Sequence, residues 1–187
     1  MKSLYIPLIL TLLSGCASVK PGDLLFHVSE KDNAITEVTP GMIDHVAIVV
    51  HRDSVIEAIG SGVKTTPIDS LRLQTGYYII GRVTEADCQE SIKRARQYTG
   101  RKYDWLYLPD NDDIYCSELV QLSYINKNGR AIFQTIPMSF HDETGKITDY
   151  WKKLYKRNGM EVPEGKPGTN PGEMSRRACI RIKGKLR

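Results

Sequence analysis

The chain has 187 residues, 26% of them charged, and a formal net charge of +4 at pH 7. No nucleic-acid-binding motif accompanies this modest excess, which argues against a protein that binds DNA or RNA. Six basic residues lie within the last dozen positions: Arg176, Arg177, Arg181, Lys183, Lys185 and Arg187. This basic end could contact anionic headgroups or peptidoglycan, but a solvated tail or a charged edge strand is the simpler interpretation.

The first segment has the pattern of an export signal. One cation precedes an apolar run from Leu4 to Leu13, which is too short to span a bilayer. The run leads into Leu13-Ser14-Gly15-Cys16, which resembles a bacterial lipobox. We expect residues 1–15 to be removed and Cys16 to carry a lipid. Residues 16–21 would then tether the protein at a periplasm-facing membrane of the bacterial cell envelope, and the outer membrane is the expected one. The alternative is an ordinary secretory signal that ends in a cysteine.

Residues 22–187 are enough for one domain with a hydrophobic core, and their pattern predicts an α+β fold. β-branched and apolar runs predict strands at 24–28, 45–50, 55–59, 63–68, 77–83 and 178–182. Helical spacing predicts helices at 84–99, 113–126 and 147–157, with a Pro/Gly-rich linker at 163–172. The strands in the middle of the chain are expected to form a small antiparallel sheet or partial barrel that packs on the helices.

Beyond the predicted lipidation site there are three cysteines, so at least one thiol is expected to be free or paired between molecules. Cys88 lies on an apolar helical stripe and Cys179 in a strand, and both positions are typical of packing residues. Cys116 lies in the first turn of the helix predicted at 113–126. If Asp113 caps that helix, the N–H groups and dipole of the first turn would favour a thiolate and could stabilise an oxyanion. Spacing alone does not exclude a half-buried helix residue without chemistry.

A nucleophilic cysteine needs an imidazole that accepts its proton and returns it to the leaving group. His51 is predicted in a tight turn and His141 in a loop. His27 and His45 lie on predicted strands, which could hold a ring against the helix. Glu57 follows His45 by twelve residues, so both side chains point to one face of a hairpin if its turn adds an odd number of residues. Glu57 could then orient the imidazole, or it could lie on the solvated side of its strand.

Four segments carry a family pattern in their order along the chain: Gly22-Asp23-Leu24-Leu25, Asp44-His45-Val46-Ala47-Ile48-Val49, Val55-Ile56-Glu57-Ala58 with Gly62-Val63, and Tyr115-Cys116-Ser117-Glu118-Leu119-Val120. Together they resemble the YiiX/YebB-like permuted branch of the NlpC-type cysteine amidases. In papain-like enzymes the cysteine precedes the histidine, whereas here His45 precedes Cys116, as in the circularly permuted branch. The resemblance covers roughly residues 21–126 and implies a permuted papain-like fold.

In that fold, the resemblance implies that Cys116 is the nucleophile, His45 the general base and acid, and Glu57 the polar third member. Tyr103, Trp105 and Tyr115 are expected to line the substrate pocket, although an aromatic surface loop would account for the first two equally well. No cofactor and no metal ion is expected. Residues 127–187 carry no family motif and have no assigned role.

These features predict a lipid-anchored envelope cysteine hydrolase that cleaves an amide through an acyl-enzyme. Peptidoglycan peptides are the leading substrate. A hydrolase of lipid amides or N-acyl amines, an esterase or an acyltransferase is the main alternative. A non-catalytic envelope-binding lipoprotein of the same fold is a second. The expected partners are the substrate and the membrane, and not nucleic acid.

Overall fold

The computed structural model describes residues 18–109 and 111–187, and the predicted signal segment and Cys16 lie outside these ranges. The strands are β1 (Asp23–Val28), β2 (Ile43–His51), β3 (Ser54–Ile59), β4 (Gly62–Pro67), β5 (Tyr77–Val83), β6 (Ile136–Pro137), β7 (Pro167–Gly168) and β8 (Ile180–Lys185). Six of them form one antiparallel sheet in the order β4-β3-β2-β1-β5-β8, and β6 pairs with β7 separately. The basic residues of β8 therefore lie on an edge strand.

The helices are α1 (Ile68–Arg72), α2 (Cys88–Gln97), α3 (Cys116–Ser123), α4 (Asp149–Arg157) and α5 (Pro171–Ser175). Asp87 begins α2, because its carboxylate accepts hydrogen bonds from the N–H groups of Gln89 and Glu90. Asn170 begins α5 in the same way, with Pro171 at the first helical position. No helix in the described ranges is long and apolar enough to cross a membrane.

Several predicted helix bounds were wrong. The helix predicted at 84–99 begins only at Cys88, after the Asp87 cap. The helix predicted at 113–126 is shorter at both ends, since it spans Cys116–Ser123, and Asp113 does not cap it. The predicted linker at 163–172 contains β7 and the start of α5. In each case a side-chain cap or a tertiary contact, not hydrophobic spacing, sets the end of the element.

Helices cover one face of the sheet more fully than the other. Successive residues of β1 point to opposite faces, so they pack in different cores. Leu24 and Phe26 pack in a large core with apolar side chains of α2 and α3. Leu25 points to the second face, where α1, Val19 and Leu186 complete a smaller core. Sheet and helices thus form separate layers, which confirms the predicted α+β class.

A third apolar cluster lies outside the sheet, around Phe140, Trp151 and Tyr155. Residues of the β1–β2 loop and of the segment 106–108 pack against it. The indole N–H of Trp151 donates to the carbonyl of Ala34 at 3.1 Å. The C-terminal third of the chain is therefore joined to the loop that precedes β2.

The β2–β3 hairpin contains a β-bulge at Val50. Its turn has two residues, and His51 pairs with Ser54, but the next pair is Val49 with Val55. Val50 is thus an extra residue in β2. Continuing this register places Glu57 opposite Ala47, so that His45 is its diagonal neighbour on the same face.

Candidate active site

Cys116 is the first residue of α3, and its thiol is almost fully buried, with the residue 4% exposed. The preceding residue, Tyr115, is extended, and its N–H donates to the carboxylate of Glu118 at 3.3 Å. Leu119 and Val120 fix the helix in the core below the sheet. The sulfur therefore lies where the free N–H groups and the positive end of the helix dipole favour negative charge.

His45 connects Cys116 with Glu57. Its imidazole lies close enough to Cys116 for the two groups to interact, and this interaction raises the pKa of the ring. Its Nε2–H donates to Oε2 of Glu57 at 2.8 Å, which leaves Nδ1 for the sulfur. Glu57 is 1% exposed and so has little access to competing water. The three residues come from α3, β2 and β3, and His45 interacts with both of the others.

The groups around His45 favour the protonated form of its ring. Burial lowers the pKa of His45, but hydrogen bonds to Cys116 and Glu57 and the negative charge of both outweigh burial and raise that pKa to about 10. Burial raises the pKa of Glu57, but the hydrogen bond from His45 outweighs it and holds that pKa below its usual range. The protonated ring is therefore stabilised by the Glu57 carboxylate, and by Cys116 whenever that residue is a thiolate.

The other three histidines are engaged elsewhere. His27 donates from Nδ1 to Asp44 at 2.6 Å and from Nε2 to the carbonyl of Thr75 at 2.7 Å, so both ring nitrogens are occupied. The hydrogen bond to Asp44 raises the pKa of His27. His51 is exposed beside Asp53, and His141 pairs with Glu164. Of the four histidines, the structure thus brings His45 to Cys116.

A narrow cavity of about 50 Å³ opens beside Cys116. Apolar residues form most of its wall: Ile35, Val38, Tyr107, Tyr115, Met138, Phe140, Trp151 and Pro171. Polar residues complete it: Thr39, Asp44, Ser117, Ser139, Thr169 and Asn170. A water needs about 10–15 Å³ of such space, so the cavity has room for a few atoms beside the nucleophile.

The three aromatic residues predicted to line the pocket have different positions. Tyr115 lines the cavity. Tyr103 lies behind Tyr107, with 3.1 Å between their hydroxyl oxygens. Burial and then the negative charge of Cys116 raise the pKa of Tyr103, so its hydroxyl stays protonated. Trp105 is 56% exposed and packs on Tyr103 from outside, away from the cavity.

The C-terminal part of the chain supplies one wall of the cavity, a role that the sequence did not predict. The N–H and hydroxyl of Thr169 donate to the phenol oxygen of Tyr115 at 3.0 and 3.4 Å. The same hydroxyl lies 3.0 Å from that of Ser117, which follows the nucleophile. This wall is formed by contacts between residues more than fifty positions apart, and no local sequence pattern reports such contacts.

The comparisons with known proteins agree with this geometry. A family model described as "Permuted papain-like amidase enzyme, YaeF/YiiX, C92 family" matches residues 18–179. The chain belongs to this family. It is therefore a cysteine hydrolase of the papain-like amidase kind, which confirms the predicted family, fold and enzyme class.

Two relatives from Escherichia coli are similar along most of their length. The uncharacterized protein YiiX of strain K12 is 28% identical over 153 residues, which cover 76% of this chain and 74% of that protein. The crystal structure of the metalloprotein yiiX from strain O157:H7 has a TM-score of 0.74 at 23% identity, covering 91% of this chain and 99% of that one. The second likeness supports the fold.

That relative is described as a metalloprotein, so we asked whether the side chains here fit a metal ion. In residues 18–109 and 111–187, no group of three or more histidine, cysteine, aspartate or glutamate side chains is arranged to hold one. The histidines nearest the nucleophile already donate from Nε2, His45 to Glu57 and His27 to Thr75. The described residues therefore do not fit a site of that kind.

Proposed function

We propose that this protein is a lipid-anchored amidase of the bacterial cell envelope that hydrolyses an amide bond in peptidoglycan peptides through an acyl-enzyme on Cys116. The observation that carries the reaction is the position of His45, which interacts with the cavity-lining Cys116 and donates a hydrogen bond to Glu57. The lipobox-like Leu13-Ser14-Gly15-Cys16 supports the anchor and the export.

The arrangement of Cys116, His45 and Glu57 accounts for each proton transfer of the reaction. The Cys116 thiolate attacks the amide carbonyl, and a C–S bond forms as the carbonyl oxygen becomes an oxyanion. Protonated His45 then gives its proton to the leaving nitrogen, and the C–N bond breaks. In the second half, neutral His45 takes a proton from water, which attacks the thioester and releases the acid and the thiolate. Glu57 holds the ring in position and stabilises its charge.

The oxyanion needs donors that are in place before the reaction. The first N–H groups of α3 point toward the space beside the sulfur, because they have no partner within the helix. The Tyr103 hydroxyl, which burial keeps protonated, is a second candidate donor, 3.1 Å from the hydroxyl of Tyr107 in the cavity wall. Both donors belong to elements fixed in the interior, so they need little rearrangement during the reaction.

Two features support a peptide substrate. The cavity beside Cys116 has room for a small side chain such as a methyl group, but a long acyl chain would need its walls to move. An open groove of about 800 Å³ adjoins the cavity, since both share Val38 and Thr39. The groove carries more acidic than basic side chains, among them Asp32, Glu37 and Asp142, which suits a polar, amine-bearing peptide.

One observation favours a second candidate. Aromatic and aliphatic side chains make up most of the wall beside the nucleophile. An apolar wall fits the acyl group of an N-acyl amine or a lipid amide better than a polar peptide. An acyltransferase would use the same first half-reaction and differ in the group that attacks the thioester.

Trapping the acyl-enzyme separates these candidates. The purified protein is mixed with an envelope extract, quenched with acid, and the mass added to the peptide that contains Cys116 is measured. We expect a muropeptide fragment, and no adduct on the Cys116→Ala variant. A fatty acyl adduct would establish the second candidate. Turnover of peptidoglycan and N-acyl amines by Cys116→Ala at the wild-type rate would refute Cys116 as the nucleophile.

A further inference from the structure

A second cleft, of about 650 Å³, lies where the chain enters the described structure. Its walls are residues 18–21, Arg52 in the β2–β3 turn, Arg72 at the end of α1, and Leu186 with Arg187 after β8. Val19 and Leu186 pack against the smaller apolar core, which fixes both chain segments on the sheet. We call this site the basic cleft.

The basic cleft is strongly cationic. Its described lining residues include four cations, Lys20, Arg52, Arg72 and Arg187, and no aspartate or glutamate. Arg72 pairs with Asp69 and donates to the main-chain oxygen of Arg187. No carboxylate of the described residues forms an ion pair with Lys20 or Arg52. Arginine side chains bind phosphate well, because two N–H groups of one guanidinium can donate to two phosphate oxygens at once.

The position of the basic cleft relates it to the proposed anchor and separates it from the nucleophile. Ser18, at its rim, is two residues after Cys16. The cleft adjoins the smaller core, whereas Cys116 and α3 belong to the larger one. His45 and Arg52 lie near opposite ends of β2, separated by seven residues and therefore by roughly 23 Å along the strand.

We propose that the basic cleft binds the phosphate of anionic phospholipid headgroups, and that this contact turns the catalytic cavity away from the anchoring membrane. The inference rests on the proposed lipid anchor at Cys16 and deepens the proposed function. A surface that holds the enzyme with its nucleophile facing outward selects substrates beyond the bilayer, such as a cell-wall peptide, over lipids of the same leaflet. The lipid chain and the cationic surface would act together.

Hydrogen–deuterium exchange of the full lipidated chain on nanodiscs tests the orientation. One set of discs contains phosphatidylcholine alone, and the other also contains phosphatidylglycerol. With phosphatidylglycerol we expect slower exchange at residues 18–21, 52–53 and 186–187, and no change in the cavity wall at 138–141 and 169–171. The headgroup-bound fraction should fall roughly fivefold for each arginine removed in an Arg52→Gln, Arg72→Gln double variant.

A matched control is the Lys93→Gln, Arg96→Gln double variant, which removes two exposed cations of α2, one of them also paired to a carboxylate. It should retain the full protection. Equal loss in the control, equal exchange on both kinds of disc, or protection of the cavity wall would each refute the proposal. The same protection on phosphatidylcholine discs with inorganic phosphate would show a phosphate site instead of a membrane contact.

The nanodisc experiment tests the proposed anchor and the proposed binding by the basic cleft separately. Retention on phosphatidylcholine discs reports the lipid anchor alone. Binding only to phosphatidylglycerol discs, lost in the arginine double variant, would refute the anchor and support the cleft. Retention on neither kind of disc would refute both. Hydrolysis by Cys116 is measured independently of any membrane, so its failure would not be confused with either result.

Discussion

Glu57 Oε2 lies 2.8 Å from Nε2 of His45, although the two residues are on neighbouring strands and are not directly opposite each other. The contact is a diagonal one, and it occurs where Glu57 is almost completely removed from water. A buried carboxylate that accepts the Nε2 proton fixes the tautomer of the ring and directs Nδ1 toward the sulfur. Glu57 thus affects the surroundings of Cys116 through His45.

Replacing His45 should reduce activity more than replacing Glu57. His45→Ala removes the group that protonates the leaving nitrogen, so kcat/KM should fall by about 10³-fold or more. Glu57→Gln keeps a hydrogen-bonding partner but removes its charge, so the loss should be milder, about 10- to 100-fold. Steady-state kinetics on a defined amide measure both. Unchanged activity of His45→Ala would show that another group moves the proton.

Stability should fall as the pH rises above neutrality. The folded pKa of His45, about 10, is above its ordinary value of 6.5. Below about pH 6.5 both folded and unfolded chains hold this proton, so the stabilisation is complete. Between about pH 6.5 and 10 the unfolded chain loses it first, and the stabilisation is lost.

Urea unfolding across pH 6 to 10 measures this effect. The comparison is wild type against His45→Asn, because the stabilisation from His27, whose pKa is also raised, is common to both and cancels. We expect the difference in the free energy of unfolding between them to shrink as the pH rises. A difference that stays constant over this range would contradict the ion-pair description of the site.

Tyr103 should matter for the rate more than for binding. If its hydroxyl donates to the oxyanion as proposed, it acts only during the reaction, so Tyr103→Phe should lower kcat roughly 10- to 100-fold with little change in KM. Tyr98→Phe, which alters a half-buried phenol at the end of α2, is the matched control and should retain wild-type kcat. A rise in KM alone for Tyr103→Phe would indicate a binding role.

The predicted anchor makes its own prediction. Cys16→Ala should yield a chain that is neither lipidated nor processed at the lipobox. Metabolic labelling with an alkyne fatty acid, followed by detergent-phase partitioning, detects both changes. Label on wild type and none on the variant is the expected result. Equal partitioning and no label on either would leave an ordinary secretory signal as the better interpretation of residues 1–15.

The sheet was predictable because its strands are long apolar runs separated by turn residues. The helix starts were less predictable, because hydrogen bonds to individual side chains, those of Asp87 and Glu118, set them. Spacing identified Cys116 as one of several thiols, and the order of His45 before Cys116 related it to the family. The prediction that residues 22–187 form one domain stays a prediction.

Sequence spacing could not decide whether His27 or His45 is the partner of Cys116. Both histidines lie on strands, and they are directly opposite each other in the β1–β2 pair. Only the tertiary structure reveals that Asp44 and the Thr75 carbonyl occupy both nitrogens of His27. The cavity wall at Thr169 could not be predicted from the sequence either, since its contacts depend on how the C-terminal third of the chain folds back.

The extra residue at Val50 restricts how the exposed hairpin can vary in length. With a two-residue turn and no bulge, Glu57 would lie opposite Ile48, and its carboxylate would point away from His45. Removing or adding a single residue near Arg52 and Asp53 would therefore reverse the face on which Glu57 appears, although neither residue approaches the nucleophile. Length changes at this tip are tolerable in pairs, so loop libraries for this enzyme should be built in steps of two residues.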